Sequence, residues 1–456
     1  MSNNFTEKAL EVAQKEGASE VIVRLIEGPN YQIRFSNSNI DISKQWDQSL
    51  LEVFIAIGKQ ITQVDIQDPT IPKIEKVVKD ATRFAKRMPD SQLYTSMESK
   101  KHSYKPIDGL YDKAIETFPE KAPEMVNVAI QKALEVGAER VAGVLYYGIS
   151  KTELRTSYGN IGSYDSSFYR MTIRSFVDFE SSGQDVVVGR SLSNIEKKLS
   201  EAGENAGKLA KMAVGGKQGK AGKYDLIFSP TVGGNIFGQI TDGANPLMLL
   251  LNMSPLGDHF GEQIMPENFH VVDDPHIGEG LGSKPFDVEG TPTQKTPIIQ
   301  NGVLVGLIHN TTSGLMMQSE STGNSNLTSF FGTGSKFLAP EATNMVFSTG
   351  DYSLDEIIAE SKKPTIYVTS NWYTRYTNML EGEFSSIPRD GMFLIENGEI
   401  KNPVRKLRIS ENLLKMSKRV EAIGKDRKQI QWWEVYTPTF IPTIKIADCN
   451  VTAATQ

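Results

Sequence analysis

Apolar residues change period early in the chain. Over residues 6–16 they fall at Ala9, Leu10, Val12 and Ala13, a helical stripe with Thr6 as its N-cap and Gly17 placed to stop it. The spacing then switches to alternation. Residues 21–26 alternate around Arg24 and residues 31–35 around Arg34, which predicts two strands with Gly28-Pro29-Asn30 as the turn between them. The same order returns later: a helix over 123–135 ending at Gly137-Ala138, a strand over 141–147, then Glu153-Leu154-Arg155-Thr156-Ser157 leading into Gly159-Asn160-Ile161. One helix-strand-strand unit, near 7–40 and again near 123–161, is thus used twice about 120 residues apart. Two copies are too few for a solenoid, so this reads as a pseudo-repeat.

Each copy is followed by a strand-rich stretch, 51–57 and 169–179, and then by a helix. The first of these helices starts at Pro72, a residue suited to the first helical turn, and runs to about Lys86. The second opens on a capping box, Ser193 with Glu196, and runs to about Met212. Residues 214–223 (VGGKQGKAGK) read as an interdomain linker. A phosphate-binding loop does not fit there, because no glycine stands five positions before Gly219-Lys220 and Ala221 replaces the Ser/Thr that would hold magnesium. Beyond the linker strands dominate. Asn301-Gly302 and Asn397-Gly398 mark two hairpins, a capping box at Ser353 and Glu356 opens a helix, and another helix spans 412–419. The expected fold is therefore α+β: a mixed helix and sheet domain over 1–213 with the internal pseudo-repeat, then a β-rich domain over 224–456.

Composition narrows the class. The chain has 456 residues, 39% of them apolar and 23% charged, with 49 basic and 55 acidic residues for a net charge of −6. These values fit a folded protein of two or three domains and give no general attraction to nucleic acid or anionic lipid. Apolar runs such as 53–57 and 247–251 are far too short to span a bilayer. A single cysteine, Cys449, excludes an internal disulfide and a Cys-rich zinc site. The N-terminal residues carry no basic and apolar secretory pattern, so a cytoplasmic location is expected.

Candidate chemistry is sparse. The five histidines are His102, His259, His270, His276 and His309, and no His-Glu-x-x-His or His-x-His occurs. Asp258-His259, His270, Asp273-Asp274 and His276 offer metal-ligand types, but at spacings that match no helical or tight-turn ligand pair. There is no Gly-x-Ser-x-Gly, and Cys449 sits in an apolar final strand as a buried structural thiol. What remains is a set of polar, glycine-containing strings: residues 286–293, 306–310 with His309 and Asn310, 321–324 with Thr322, Gly323 and Asn324, and 375–378 with Arg375 and Asn378. Polar loops on a strand-rich scaffold are common places for peptide or ligand contact.

Together these strings resemble the TldD/PmbA family. The resemblance rests on the helix-Gly-Ala-strand opening, Asp273-Asp274-Pro275, Asp287 to Thr293 (Asp-x-Glu-Gly-x-Pro-Thr), and Asn301 to Asn310. Thr322-Gly323-Asn324, Arg375 to Asn378 and the hairpin Ile395 to Val404 complete it. It covers nearly the whole chain in order. It implies a two-domain subunit of a cytoplasmic proteolytic complex, in which a TldD chain carries zinc and a TldE (PmbA) chain pairs with it. TldD-type chains carry His-Glu-x-x-x-His early in the second domain and a cysteine near the C-terminus, so that zinc polarises the scissile carbonyl and the glutamate acts as base.

This chain departs from that pattern. Ser229 and Gly234 stand where the histidines would be, Pro230 stands where the glutamate would be, and residues 431–439 contain no cysteine. Neither serine nor glycine replaces imidazole as a tight zinc ligand. The resemblance is therefore to the TldE type, with no catalytic or metal-binding residue in this chain and zinc expected in a TldD-like partner. His309, Asn310, Thr322, Gly323, Asn324, Arg375 and Asn378 are the expected substrate-binding residues, for a peptide or unfolded polypeptide. Two other readings stay open: a stand-alone metal-dependent peptidase drawing ligands from His259, His270, His276 or His309, and a non-catalytic peptide-binding homodimer.

Overall fold

The computed structural model of the chain describes residues 4–329 and 336–453. The outermost residues of the two expected segments, 1–3 and 454–456, lie outside the described residues. The N-terminal half runs α1 (Phe5–Lys15), β1 (Glu20–Ser36), β2 (Asn39–Ile57), β3 (Gln60–Gln67), α2 (Ile71–Ala85), α3 (Ala122–Glu135), β4 (Arg140–Thr156), β5 (Ile161–Phe176), β6 (Ser182–Gly189) and α4 (Ile195–Met212). The recurring unit is thus a helix, three strands and a helix. All six strands form one antiparallel sheet in the order β3-β2-β1-β4-β5-β6.

The register carries the repeat. Phe35 faces Gly143 across β1 and β4, and shifting both by 120 gives Arg155 and Val23, which also face each other. A pseudo-dyad therefore crosses the sheet between Pro29 and Ile149. Because the offset is even and strand side chains alternate, odd-numbered residues of both copies point to one face. Val23, Val53, Leu145 and Met171 lie buried there against the four helices.

Three local expectations are corrected. Residues 21–35 form one continuous strand with no turn at Gly28, whose φ is +152° and where a Cβ would meet the Ile149 carbonyl oxygen at 2.2 Å. Glycine is needed there for the close crossing with β4, and the chain reverses instead at Asn37-Ser38, both at positive φ. The N-cap of α1 is Asn4, whose side chain accepts from the Glu7 N–H, while Thr6 is buried and donates to Glu153. The N-cap of α4 is Asn194, in a left-handed conformation without a side-chain bond, and just upstream Asp112 accepts from the Leu192 N–H and the Ser191 hydroxyl.

Helix α4 packs on α3 through glycines. A Cβ on Gly203 would lie 2.0 Å from the Ala129 carbonyl oxygen, so Gly203→Ala forces the helices apart. We expect a loss of about 2 kcal/mol in unfolding free energy. Denaturant titration of the variant checks this, and an unchanged midpoint would refute it.

The second half contains β7 (Lys217–Gln218), β8 (Gly222–Phe228), α5 (Pro230–Gly243), α6 (Pro246–Leu250), β9 (Val271–Asp273), β10 (Thr296–Gln300), β11 (Val303–Leu304), α7 (Thr311–Met316), β12 (Ser325–Thr328), β13 (Phe337–Pro340) and β14 (Met345–Phe347). It continues through α8 (Leu354–Ala359), β15 (Thr365–Asn378), β16 (Glu383–Glu396), β17 (Glu399–Arg405), β18 (Leu407–Asn412), α9 (Leu413–Ser417), β19 (Val420–Ile423), β20 (Lys428–Trp432), β21 (Val435–Ile441) and β22 (Ile444–Ala453). Strands run β15-β8-β22-β18-β16, and β16 pairs back onto β15, so this path closes on itself. A second sheet runs β11-β10-β9-β14-β21-β20. Val232, Ile236, Phe237 and Ile240 of α5 are buried in the core shared by both sheets. The architecture is α+β, with a β-rich C-terminal region.

Both Asn-Gly hairpins form, with Asn301, Gly302, Asn397 and Gly398 all at positive φ. The Gly/Lys-rich connection is not free chain: Lys217 and Gln218 pair in parallel with Val404 and Arg405. The halves are also clamped by polar contacts. Arg190, buried in the first half, donates to the carbonyls of Gly280, Leu281 and Ser283, and Arg174 pairs with Asp390 at 2.6 Å. Among the described residues no helix is long and apolar enough to cross a membrane.

Candidate functional site

A cavity of about 510 Å³ lies at the start of the second half. Its first wall is α5, which Ser229 launches: the Ser229 hydroxyl donates to the Thr369 carbonyl at 2.8 Å and accepts from the Val232 N–H at 3.4 Å. Gly234, Asn235, Gly238, Gln239 and Asp242 follow at helical spacing along the cavity side. The far end of β15, with Thr374, Arg375 and Tyr376, forms a second wall. The β20–β21 turn, from Trp433 to Thr437, forms a third.

A buried polar knot fixes the three walls to one another. Asn235 Nδ2 donates to the Glu434 carbonyl at 2.7 Å, and Asn235 Oδ1 accepts from Asn371 Nδ2 at 2.7 Å and from the Thr374 hydroxyl. The Glu434 carboxylate accepts from the Tyr373 N–H at 3.0 Å and faces Arg375 at 3.8 Å. Arg375 is 65% exposed, so that pair adds little stability; its Nη1 donates to the Thr374 carbonyl at 2.7 Å, and the exposed guanidinium keeps further N–H donors to offer a ligand. The Tyr376 hydroxyl is held far above its ordinary value by burial and then by Asp242, so it acts only as a neutral hydrogen-bonding group. Tyr373, Trp433 and Tyr436 are exposed around this region, and the Tyr373 and Trp433 rings meet edge to face.

The seven expected substrate-binding residues fall in two places. His309, Asn310, Thr322, Gly323 and Asn324 form a buried knot away from the cavity. Asn310 caps α7 in a capping box with Ser313, and the Thr322 hydroxyl accepts from the His309 N–H at 2.7 Å. Asn324 Nδ2 donates to the Asp273 carboxylate at 2.6 Å. Burial lowers the His309 pKa and raises that of Asp273. Arg375 lines the cavity, whereas Asn378 is exposed and accepts from the Glu381 N–H at the following turn. Asn235, Trp433, Glu434 and Tyr436 also line the cavity and carry no local motif that marks them. The available signal was the run of glycine and polar residues at 234, 235, 238, 239 and 242, one face of a helix whose other face is apolar.

The donor set does not fit zinc. Positions 229, 230 and 234 offer a hydroxyl already engaged, a proline and no side chain. Among the described residues no three His, Cys, Asp or Glu side chains form a group able to hold a metal ion. His259 pairs with Glu262 at 2.7 Å, His270 Nδ1 accepts from the Asn301 N–H, His276 contacts the Thr293 carbonyl, and His309 contacts Ser313. Cys449 is buried in β22 and burial pushes its thiol far up, as a structural thiol requires.

Residues 221–453 match the family model described as the PmbA/TldA metallopeptidase C-terminal domain. The chain therefore belongs to the PmbA/TldD family. It is 25% identical over 448 residues to a metalloprotease PmbA homolog of Haemophilus influenzae, covering 92% of this chain and 90% of that protein. It is likewise 25% identical over 346 residues to metalloprotease PmbA of Escherichia coli O157:H7, covering 73% of this chain and 71% of that one. The fold is that of TldE from Thermococcus kodakarensis, with a TM-score of 0.84 at 18% identity over 98% of this chain and 100% of the other. Within the family, the chain is of the TldE/PmbA type.

Proposed function

We propose that this protein is the zinc-free subunit of a cytoplasmic TldD/TldE-type proteolytic assembly. A TldD-like partner supplies zinc and the general base, and this chain supplies a wall of the peptide cleft. The observation that carries the reading is the cavity on α5. It is lined by Gly234, one of the positions where the resemblance would put a metal-binding side chain, on the helix that Ser229 and Pro230 open, and it has room, an exposed guanidinium and exposed aromatic rings. Two backbone glycines on α5 let an extended peptide approach, and Arg375 offers a fixed fork of donors to its carbonyls. Aromatic faces hold varied side chains without selecting one.

The test uses this chain reconstituted with a TldD-like chain from the same source. Elemental analysis should find zinc near one per partner chain and well below about 0.1 per copy of this chain. Arg375→Ala and Trp433→Ala should each cut peptide cleavage by about 10-fold, the scale of one lost charged hydrogen bond or aromatic contact, with the unfolding midpoint unchanged. Arg375 is 65% exposed and Trp433 about half exposed, so with the unfolding midpoint unchanged a fall in cleavage would not reflect unfolding. Unchanged cleavage in both variants would refute the cleft, and tightly held zinc on this chain alone would refute the subunit assignment.

A further inference from the structure

The face of the N-terminal sheet opposite its helices is built from even-numbered residues. Toward one end it is apolar, where Ile22, Phe54 and Leu154 are buried against Phe286 and Val288. Toward its centre it turns polar, and there it floors a second cavity of about 430 Å³. Arg24, Ser150, Thr152, Ser166 and Arg170 belong to this floor, and the roof comes from residues 281–284 and 436–438 of the second half. Tyr436 and Thr437 line both cavities, so the two spaces adjoin along β21.

The lining is cationic beyond what its own partners neutralise. Arg24 is matched by Glu52 at 2.5 Å. Arg190 is surrounded by carbonyl oxygens of Ser167, Gly280, Leu281 and Ser283, which satisfy its N–H groups without cancelling its charge. Arg170 and Lys284 have no carboxylate within ion-pair distance among the described residues, and Arg170 is open to the cavity with its guanidinium 5.1 Å from the Phe168 ring. The carboxylate in the lining, Glu341, accepts from Asn326 Nδ2. In the same lining the Gln431 carboxamide donates to the Tyr436 carbonyl at 2.8 Å, while its Oε1 is buried without a hydrogen-bond partner. Arg170 and Lys284 form no ion pair among the described residues, although the Lys284 charge also acts on the buried Asp287 carboxylate, and in one lining with an orphan acceptor they complement a carboxylate with an N–H close behind it.

We propose that this cavity binds a peptide carboxylate, chiefly the C-terminal one, with Arg170 and Lys284 as its charge partners and Gln431 Oε1 accepting from the adjoining amide. The inference rests on the peptide-binding reading above and adds the substrate class: chains entering the first cavity are anchored by a nearby free carboxylate. An acidic side chain carries the same group, so the test separates the two sources.

Fluorescence anisotropy of the full-length chain, with one N-terminally labelled peptide as free acid, as C-terminal amide, and as an amide carrying an internal glutamate, gives the result directly. The free acid should bind about 10-fold tighter than the plain amide, the scale of one charge-assisted contact. Arg170→Gln should bring that ratio close to one, and Lys284→Gln should lower it in part. The internal-glutamate amide binding as tightly as the acid supports the carboxylate site and moves its source to the side chain. Equal affinity of acid and plain amide, no binding of the acid, or an undiminished ratio in Arg170→Gln overturns the proposal. The acid-to-amide ratio of the unaltered chain needs no variant to fold. Cleavage by the unaltered reconstituted pair is read separately, so absence of cleavage there with the ratio intact overturns the subunit reading alone.

Discussion

Arg174→Ala is expected to lower the unfolding free energy by about 3 kcal/mol, among the larger effects open to a single residue of this chain. The Asp390 side chain is fully buried, and its Oδ1 accepts from Arg174 Nε at 2.6 Å and from the Ser182 hydroxyl at 2.6 Å. Its Oδ2 has no hydrogen-bond partner, and the next cation, Arg389, stands 3.9 Å away. Removing Arg174 leaves a buried carboxylate with one hydroxyl and a distant guanidinium. Breaking a buried pair typically costs about 3–5 kcal/mol, and the lower end applies because Arg174 is about a quarter exposed and Arg389 remains. Arg174 sits on β5 and Asp390 on β16, so the loss falls on the junction between the halves. The Asp390→Asn background discriminates, since asparagine tolerates the positive φ at this position and removes the charge. In that background Arg174→Ala should cost about 1 kcal/mol, the value of an ordinary hydrogen bond. Urea denaturation of the four proteins in this cycle measures the coupling, and equal costs in both backgrounds would remove the charge argument.

Much of the fold was legible because its signals are local. The helix of 123–135 and the two Asn-Gly hairpins follow from period and turn chemistry, and the structure places them with small shifts in boundary. Gly28-Pro29-Asn30 reads locally as a turn because turn residues and a tight strand crossing use the same amino acids. Only the Ile149 carbonyl, more than a hundred residues away, distinguishes the two. The same limit applies to the site. Arg375 stands out locally as a cation in a polar string, whereas Asn235 and Glu434 become a site only when α5 and the β20–β21 turn meet. Thr322-Gly323-Asn324 shows the converse. It is rich in hydrogen-bonding groups because it must satisfy buried partners, Asp273 among them, and nothing in its own sequence distinguishes that demand from ligand binding.

The string Asp287 to Thr293 makes the same point and yields a pH prediction. Asp287 and Glu289 are both buried, the first accepting from the backbone N–H groups of Glu289, Thr291 and Ser325 at 2.9 Å each. Glu289 accepts from the Ser325 hydroxyl at 3.0 Å and from the Thr311 N–H at 3.3 Å. Burial raises both pKa values, and the neighbouring Asp287 charge raises that of Glu289 further. With three N–H donors Asp287 is the better placed to hold the charge, which leaves the shared proton on Glu289. Above the ordinary glutamate value, about 4.3, the folded chain then binds more protons than the unfolded one. Stability from this group is complete below that value and is lost as pH rises through the raised folded value, at about 1.4 kcal/mol per pH unit for each extra proton held. Glu289→Gln keeps the shape and cannot ionise, so its stability deficit against the unaltered protein should be largest at low pH and shrink as pH climbs. Urea midpoints at pH 5, 7 and 9 decide the matter: the two proteins should converge or cross toward pH 9, and parallel curves would show that Glu289 is already ionised in the fold.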